Sequence, residues 1–383
     1  MSKYDVIVLG LGGMGSSTVY HLAQSGVKVL GLEQFTEAHA LGSSHGKTRL
    51  IRKAYFEHPD YVPLLHQSYD LWHQLENLSQ EKLLHLSGLT LFGSSASAIL
   101  KGVRKSKDQF DLKVREVSEV EAQHWNPVFH VPKGFVGVEE PGAGFLEVEK
   151  CIKAYLKVAR SLGAEIRFEQ PCLSWGANSK EVWVETGHEK IYADKLVITA
   201  GPWTSQILQD LNLKLQVHRV PQFWFQGKNI SVLNQIKSCF AFDMSYGFIY
   251  GFPVFSHSKF LKVAIHKPGE KVNHPSEVRR NWNEQDHVEV SQFLKQVLPE
   301  IDPKPMEGSI CLYTMSPDEH FVIDQHPSWD RISFAAGFSG HGFKFASAVG
   351  KILSDGACLS KYPKTIDFLR LRPIVLNGIL TKS

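Results

Sequence analysis

The sequence predicts a mixed α/β chain. It places a Rossmann-like nucleotide-binding domain first and joins it to a second domain with a large mixed, mostly antiparallel sheet. Three observations carry this. A strand–turn–helix–strand pattern with Gly-x-Gly-x-x-Gly at its turn runs from Asp5 to Glu33. A second strand-to-glycine turn lies at Lys195–Trp203. The stretches 86–144 and 211–309 are rich in aromatics and in period-2 alternation, the mark of half-buried strands.

The first element is Asp5-Val6-Ile7-Val8-Leu9, a continuous apolar run suited to a strand buried on both faces. Gly10-Leu11-Gly12-Gly13-Met14-Gly15 follows, then a helical pattern over Gly13–Gln24 that Gly26 ends. A second strand, Val27–Leu32, leads to Glu33. Gly10 permits the tight turn, Gly12 lets backbone approach a pyrophosphate, and Gly15 lets helix and strand pack closely. The helix N-terminus offers free N–H groups to phosphates. Glu33 is placed to accept hydrogen bonds from a ribose diol and disfavours a 2′-phosphate.

NAD and FAD share this fingerprint. The Lys195–Trp203 segment favours FAD, because it resembles the second strand-to-glycine signature of the glutathione-reductase-type FAD fold, though taken alone it reads equally as an ordinary buried strand with a turn. Val182–Thr186 alternates before a turn at Gly187 and reads as part of a preceding β-meander. An amphipathic helix is expected over Glu147–Leu162, with Val148, Ile152, Tyr155, Ala159 and Leu162 on one face and Gly163 as its stop. A strand over Ala164–Glu169 follows. The expected organisation is a discontinuous FAD-binding domain (1–85, 145–210 and 310–383) and a substrate domain (86–144 and 211–309), with a ligand cleft between them.

Composition limits the partners. The chain has 383 residues, enough for two or three domains. Lys plus Arg is 42 and Asp plus Glu is 39, a net charge of +3, so there is no general electrostatic reason to expect nucleic acid or an anionic membrane as a partner. Five cysteines without a C-x-x-C pair argue against a disulfide framework and a cysteine zinc site, and no metal is expected. No run nears the ~18–20 apolar residues of a membrane span. The start shows no secretory signal, and Thr381-Lys382-Ser383 is not the Ser-Lys-Leu peroxisomal address. A cytoplasmic location is the expectation.

Four segments hold side chains suited to chemistry. Gly42–Tyr55 crowds His45, Arg49 and Arg52 among small residues. Guanidinium forks match carboxylates, though the segment equally reads as a basic surface turn. In Leu261–Lys267, alternation puts Lys262, Ala264 and His266 on one face, which reads as a site or as a solvent-exposed face. Cys311–Asp324 opens with a lone cysteine, by itself an ordinary core filler. Ala335–Lys344 carries four glycines after Ile332-Ser333-Phe334, a strand leading to another close backbone approach.

Taken together, Gly-Ser-Ser-His-Gly, Thr-Arg-Leu-Ile-Arg, Cys-Leu-Tyr-Thr…Pro-Asp-Glu-His-Phe-Val-Ile-Asp and Gly-Phe-Ser-Gly-His-Gly-Phe-Lys make the chain resemble the monomeric sarcosine oxidase family of flavin amine oxidases. That family includes N-methyltryptophan oxidase and the peroxisomal pipecolate/sarcosine oxidase. The resemblance runs the whole length of the chain. Gly-Ser-Ser-His-Gly and Ile-Arg-Lys-Ala-Tyr look slightly closer to the pipecolate/sarcosine branch. The resemblance implies that Cys311 carries FAD covalently and that Arg52 and Lys344 bind a substrate carboxylate. It implies Arg49 and Lys262 on opposite faces of the flavin, with Lys262 as the cation that favours O2. Tyr250, His266 and Tyr313 would line the substrate pocket, and Gly340 and Gly342 would approach the pyrimidine end of the flavin. Ser44 and Lys47 depart from the bacterial pattern, which has His and an acid there, so a sign change near the flavin is expected. The implied reaction is oxidation of a secondary (N-methyl or cyclic) amino acid by a monomer, with O2 giving hydrogen peroxide. A flavin amine dehydrogenase, an N-methyltryptophan oxidase-type activity and a non-oxidase FAD module are the alternatives.

Overall fold

The computed structural model describes residues 3–255 and 258–377; the Thr381–Ser383 tripeptide lies outside that range. The Tyr4–Leu9 strand is central to an eight-stranded sheet, parallel to Val29–Leu32 on one side and to Lys190–Ile198 on the other. The apolar run predicts this burial: Ile7 and Val8 are fully enclosed. The helix spans Gly13–Gln24 and packs against helices Val148–Ser161 and Ala346–Leu359.

The meander expectation holds. Ser174–Ala177, Val182–Glu185 and Lys190–Ile198 form an antiparallel run, and Ile332–Ala336 adds in parallel to the far end of the last strand. The second strand is shorter than read, beginning at Val29. The predicted helix face is right for Val148, Ile152, Tyr155 and Ala159, which are all buried. Leu162 is a correction. It is the C-cap, with ψ 4°, and is about half exposed because the helix has already ended at Ser161.

A nine-stranded sheet forms the other layer. Its strands are Leu89–Ser94, Arg115–Val117 and Phe135–Glu140 together with those within 216–315, and its longest pairing joins Gln216–Gly227 to Ile301–Met315. Leu261–His266 sits between Gln216–Gly227 and Gly247–Gly251. Phe223, Phe225, Phe240, Phe242, Val263 and Phe293 fill the core behind it. Thr48–Ile51, Leu84–His85 and Gly144–Glu147 make a small third sheet. Among the described residues no helix is long and apolar enough to cross a membrane.

Candidate active site

One cavity of about 530 Å³ runs from the glycine turn to the cationic segments. At its first end Gly10 has φ +85°, and a Cβ there would sit 2.6 Å from the Thr199 carbonyl oxygen. A Cβ on Gly15 would lie 1.8 Å from the Gly10 carbonyl oxygen, so only glycine allows the helix to approach the strand. Gly12 differs: a Cβ there would meet only Ser44 Oγ, at 3.7 Å. Its backbone is therefore open to a ligand. Ser44 Oγ accepts from Gly13 N–H at 3.2 Å. Glu33 accepts from Leu11 N–H at 2.8 Å and from Phe35 N–H at 3.1 Å, which fixes its carboxylate against the cavity wall. Burial pushes that carboxyl up, but His39 and these two N–H groups outweigh it and hold it below its ordinary value.

In mid-cavity stand Arg49 and Cys311. The loop before Arg49 is pinned by Glu149, which accepts from Gly46 N–H at 2.7 Å and from Lys47 N–H. Arg49 donates to the Ser43 carbonyl at 3.0 Å, to Gln222 Oε1 at 3.1 Å and toward Cys311 Sγ at 3.1 Å. Cys311 is buried on the Ile301–Met315 strand and lines the cavity. Thr314 on the same strand also lines the cavity, and its hydroxyl is buried without a partner among the described residues.

Lys262 is placed differently from the reading above. Its strand is buried on both faces, so the solvent-exposed alternative falls. Leu261, Val263 and Ile265 pack into the core, while Lys262 and Ala264 are enclosed on the other side. Lys262 does not line the cavity. Its Nζ lies behind the Arg49 loop and donates to the Gly46 carbonyl at 2.5 Å and the Thr48 carbonyl at 2.9 Å. Burial, and then Arg49, press its pKa well below the ordinary lysine value. Lys47 also stands apart from the cavity lining. Its Nζ pairs with Glu307 at 2.7 Å at the surface and lies outside the lining, so its charge does not enter the cavity.

The far end gathers Arg52, Tyr250, His266, Tyr313 and Lys344, all lining residues. Sequence reasoning missed Glu57, whose oxygens take Arg52 Nη2 at 2.8 and 2.9 Å. Burial pushes the Glu57 carboxyl up, but Arg52, then His341 and Lys344, pull it down to about 2. An acid five residues after Arg52 was the available signal. The His266 Nδ1 is 3.1 Å from the Tyr313 hydroxyl, and burial takes its pKa down to about 4, so the ring is neutral at pH 7. Lys344 is driven to about 7, first by burial and then by Arg52. Gly340 has φ +79°, and a Cβ there would enter the Tyr313 ring at 2.3 Å; one on Gly342 would strike Phe338 at 2.6 Å. Their smallness is thus required by the pocket's own aromatic walls.

Residues 5–356 match the family model described as FAD dependent oxidoreductase. The chain belongs to that family. Monomeric sarcosine oxidase from Bacillus sp. is 34% identical over 100% of this chain and 99% of its own length. N-methyl-L-tryptophan oxidase from Yersinia pestis is 34% identical over 91% of this chain and 93% of its own length. A solved structure of the Tyr258Phe mutant of NikD, an unusual amino acid oxidase, superposes with TM-score 0.86 at 22% identity and 97% coverage of both chains, a likeness of fold. The cavity fits the cofactor: the open backbone of Gly12, the first turn of the Gly13–Gln24 helix and the Glu33 carboxylate all line it. The protein is an FAD-dependent oxidoreductase.

Proposed function

We propose that the chain oxidises secondary amino acids of the N-methyl or cyclic kind, as a cytoplasmic monomer, with FAD linked through Cys311 Sγ. One observation carries the reading. A single cavity joins the dinucleotide cradle to a neutral imidazole and a pair of buried cations, Arg52 and Lys344. The names of the curated relatives support the substrate class and the monomer. FAD, when bound, would supply the electron sink for a hydride equivalent from the carbon beside nitrogen, with O2 and two protons as the route to hydrogen peroxide.

The residues do the positioning. Lys344 and Arg52 hold the carboxylate, which fixes the amine-bearing carbon in one orientation. Surrounding cations and burial favour the neutral amine that oxidation needs. His266, neutral with Nδ1 engaged by Tyr313, lines this end of the cavity and is the group assigned to take that proton. Tyr250 and Tyr313 wall the pocket and exclude water. The oxidised substrate leaves as an imine, which water hydrolyses. A peroxide-coupled screen of sarcosine, N-methyltryptophan, L-pipecolate, L-proline and glycine tests the reading. Turnover of none of them by the flavin-loaded chain overturns it.

A second reading, a dehydrogenase that passes electrons to a partner, is favoured by one observation. Lys262 commits two N–H bonds to backbone carbonyls and stands outside the cavity. Substrate-driven flavin reduction without peroxide from the purified chain would select it.

A further inference from the structure

Two buried residues beside the cationic end, Tyr55 and His341, have no role in the reading above. His341 follows Gly340 in the glycine run, and Tyr55 closes the segment that carries Arg49 and Arg52. The Tyr55 hydroxyl is 2.5 Å from His341 Nδ1. His341 Nε2 is 3.0 Å from the carbonyl oxygen of Glu319, a residue held at φ +60°. Lys344 Nζ is 2.7 Å from the His341 carbonyl oxygen and 3.5 Å from the Tyr55 hydroxyl.

These contacts have only one consistent polarity. A carbonyl oxygen can only accept, so the His341 proton sits on Nε2. Burial drives His341 to about 3, so Nδ1 carries no proton at pH 7. Nδ1 must therefore accept, and the Tyr55 O–H donates to it. The hydroxyl's lone pairs are left facing Lys344, which has only N–H bonds to offer. Order thus passes from the Glu319 carbonyl through His341 and Tyr55 to the lysine.

We propose that the Glu319–His341–Tyr55 chain is a positioning relay that fixes Tyr55 as an acceptor, thereby holding Lys344 in place and in its charged form. The inference rests on the proposed role of Lys344 as a carboxylate anchor. Tyr55 and His341 act through Lys344 and are not catalytic residues. The relay matters because the ammonium is otherwise poorly supported. Arg52 and Arg49 oppose its charge, burial opposes it more, and Glu57 favours it while already bound to Arg52. Glu57 also faces the Tyr55 hydroxyl; His266, Tyr250 and Tyr313 are the other titratable groups on the cavity wall near this end, and burial raises both phenols above their ordinary value.

The test uses the flavin-loaded protein and methoxyacetate, which has sarcosine's shape with an ether in place of the amine. It cannot be oxidised and has no amine proton. Its dissociation constant is read from the visible flavin absorbance between pH 6 and 9. In that window His266, at about 4, His341, at about 3, and Glu57, at about 2, are already titrated. Binding should weaken on the alkaline side as Lys344 loses its proton, and Lys344→Met should remove this limb. Tyr55→Phe keeps the ring against Tyr61 and Phe345 and deletes the hydroxyl, which is both the acceptor facing Lys344 and the donor to His341 Nδ1. It should move the limb to lower pH by about one unit, a roughly tenfold loss above the limb. His341→Leu should reproduce that movement. His341→Asn, which keeps an acceptor near the Nδ1 position, should restore most of it. A limb present in the native protein, absent in Lys344→Met and unmoved in Tyr55→Phe overturns the relay and leaves the anchor standing. Affinity indifferent to Lys344→Met overturns the anchor, and the relay with it.

Discussion

Glu57→Gln should weaken the fold and strengthen carboxylate binding at once. The Glu57 carboxylate accepts both bonds from Arg52 Nη2, and the guanidinium is also packed 4.1 Å from the Phe56 ring centre and 4.4 Å from that of Tyr55. Its carboxyl moves from an ordinary 4.5 to about 2, with burial opposing the change and Arg52 driving it. At about 1.36 kcal/mol for each tenfold, that difference corresponds to roughly 3 kcal/mol of stability. Removing one partner of a buried ion pair costs about 3–5 kcal/mol, the same size. The depressed value sets the pH window: the contribution is full above about 4.5 and is lost as pH falls towards 2. Arg52, freed of its counter-charge, should then serve an incoming carboxylate, tightening methoxyacetate by about tenfold, the worth of one charge-assisted bond. Urea unfolding at pH 7, followed by tryptophan fluorescence, reads the first effect, and flavin absorbance titration reads the second. A stability loss under about 1 kcal/mol, with affinity unchanged or weaker, would refute the reasoning, because the pair would then neither hold the loop nor compete with ligand.

Three further outcomes test the nucleotide cradle, the proposed flavin attachment and the oxidase reading. Gly15→Ala should abolish FAD retention, since its Cβ would fall 1.8 Å from backbone that cannot yield; a variant with full flavin content and native stability would contradict the cradle. Cys311→Ala should leave all yellow colour in the supernatant after acid precipitation, whereas the native protein keeps it in the pellet; colour in both pellets rules out Cys311 as the attachment point. On the oxidase reading, and not on the placement of its Nζ behind the Arg49 loop, Lys262→Met should slow the reaction of reduced protein with O2 well over tenfold more than anaerobic reduction by substrate; equal losses in the two stopped-flow phases would reject it as the oxygen-facing cation.

How much was legible depended on whether the cause was local. The Gly10–Glu33 unit could be read because turn, helix start and strand end lie within one short stretch, and the helix was found over the residues expected. Arg52, Cys311 and Lys344 were legible because each stands in a dense motif, and all three line one cavity. The helix Val62–Ser79 was passed over although Pro63 marks its first turn and Leu64, Leu65, Trp72 and Leu75 bury its inner face. Short strands such as Leu84–His85 offer no period to detect. Lys262 shows a deeper limit. Period-2 alternation separates two faces, but it cannot say that both are enclosed, one by core phenylalanines and one by the Arg49 loop. Glu57, Tyr55 and His341 gained meaning only from tertiary pairing with Arg52, Lys344 and one another.

The small net charge of +3 conceals how unevenly the site's cations are committed. Arg52 is matched by Glu57 and the Ala54 carbonyl. Arg49 is spread over Ser43, Thr48, Gln222 and Cys311. Lys262 serves two carbonyls behind the loop. Lys344 has one short bond, to His341, and one long one, to Tyr55, and an ammonium carries three N–H groups. It lines the cavity, whereas Lys262 does not. An anion entering from the cavity therefore meets its first uncommitted donor at Lys344, and Arg52 contributes only as far as Glu57 releases it. The selectivity of the proposed site for a carboxylate thus depends less on the number of cations than on which of them the fold has left unpaired.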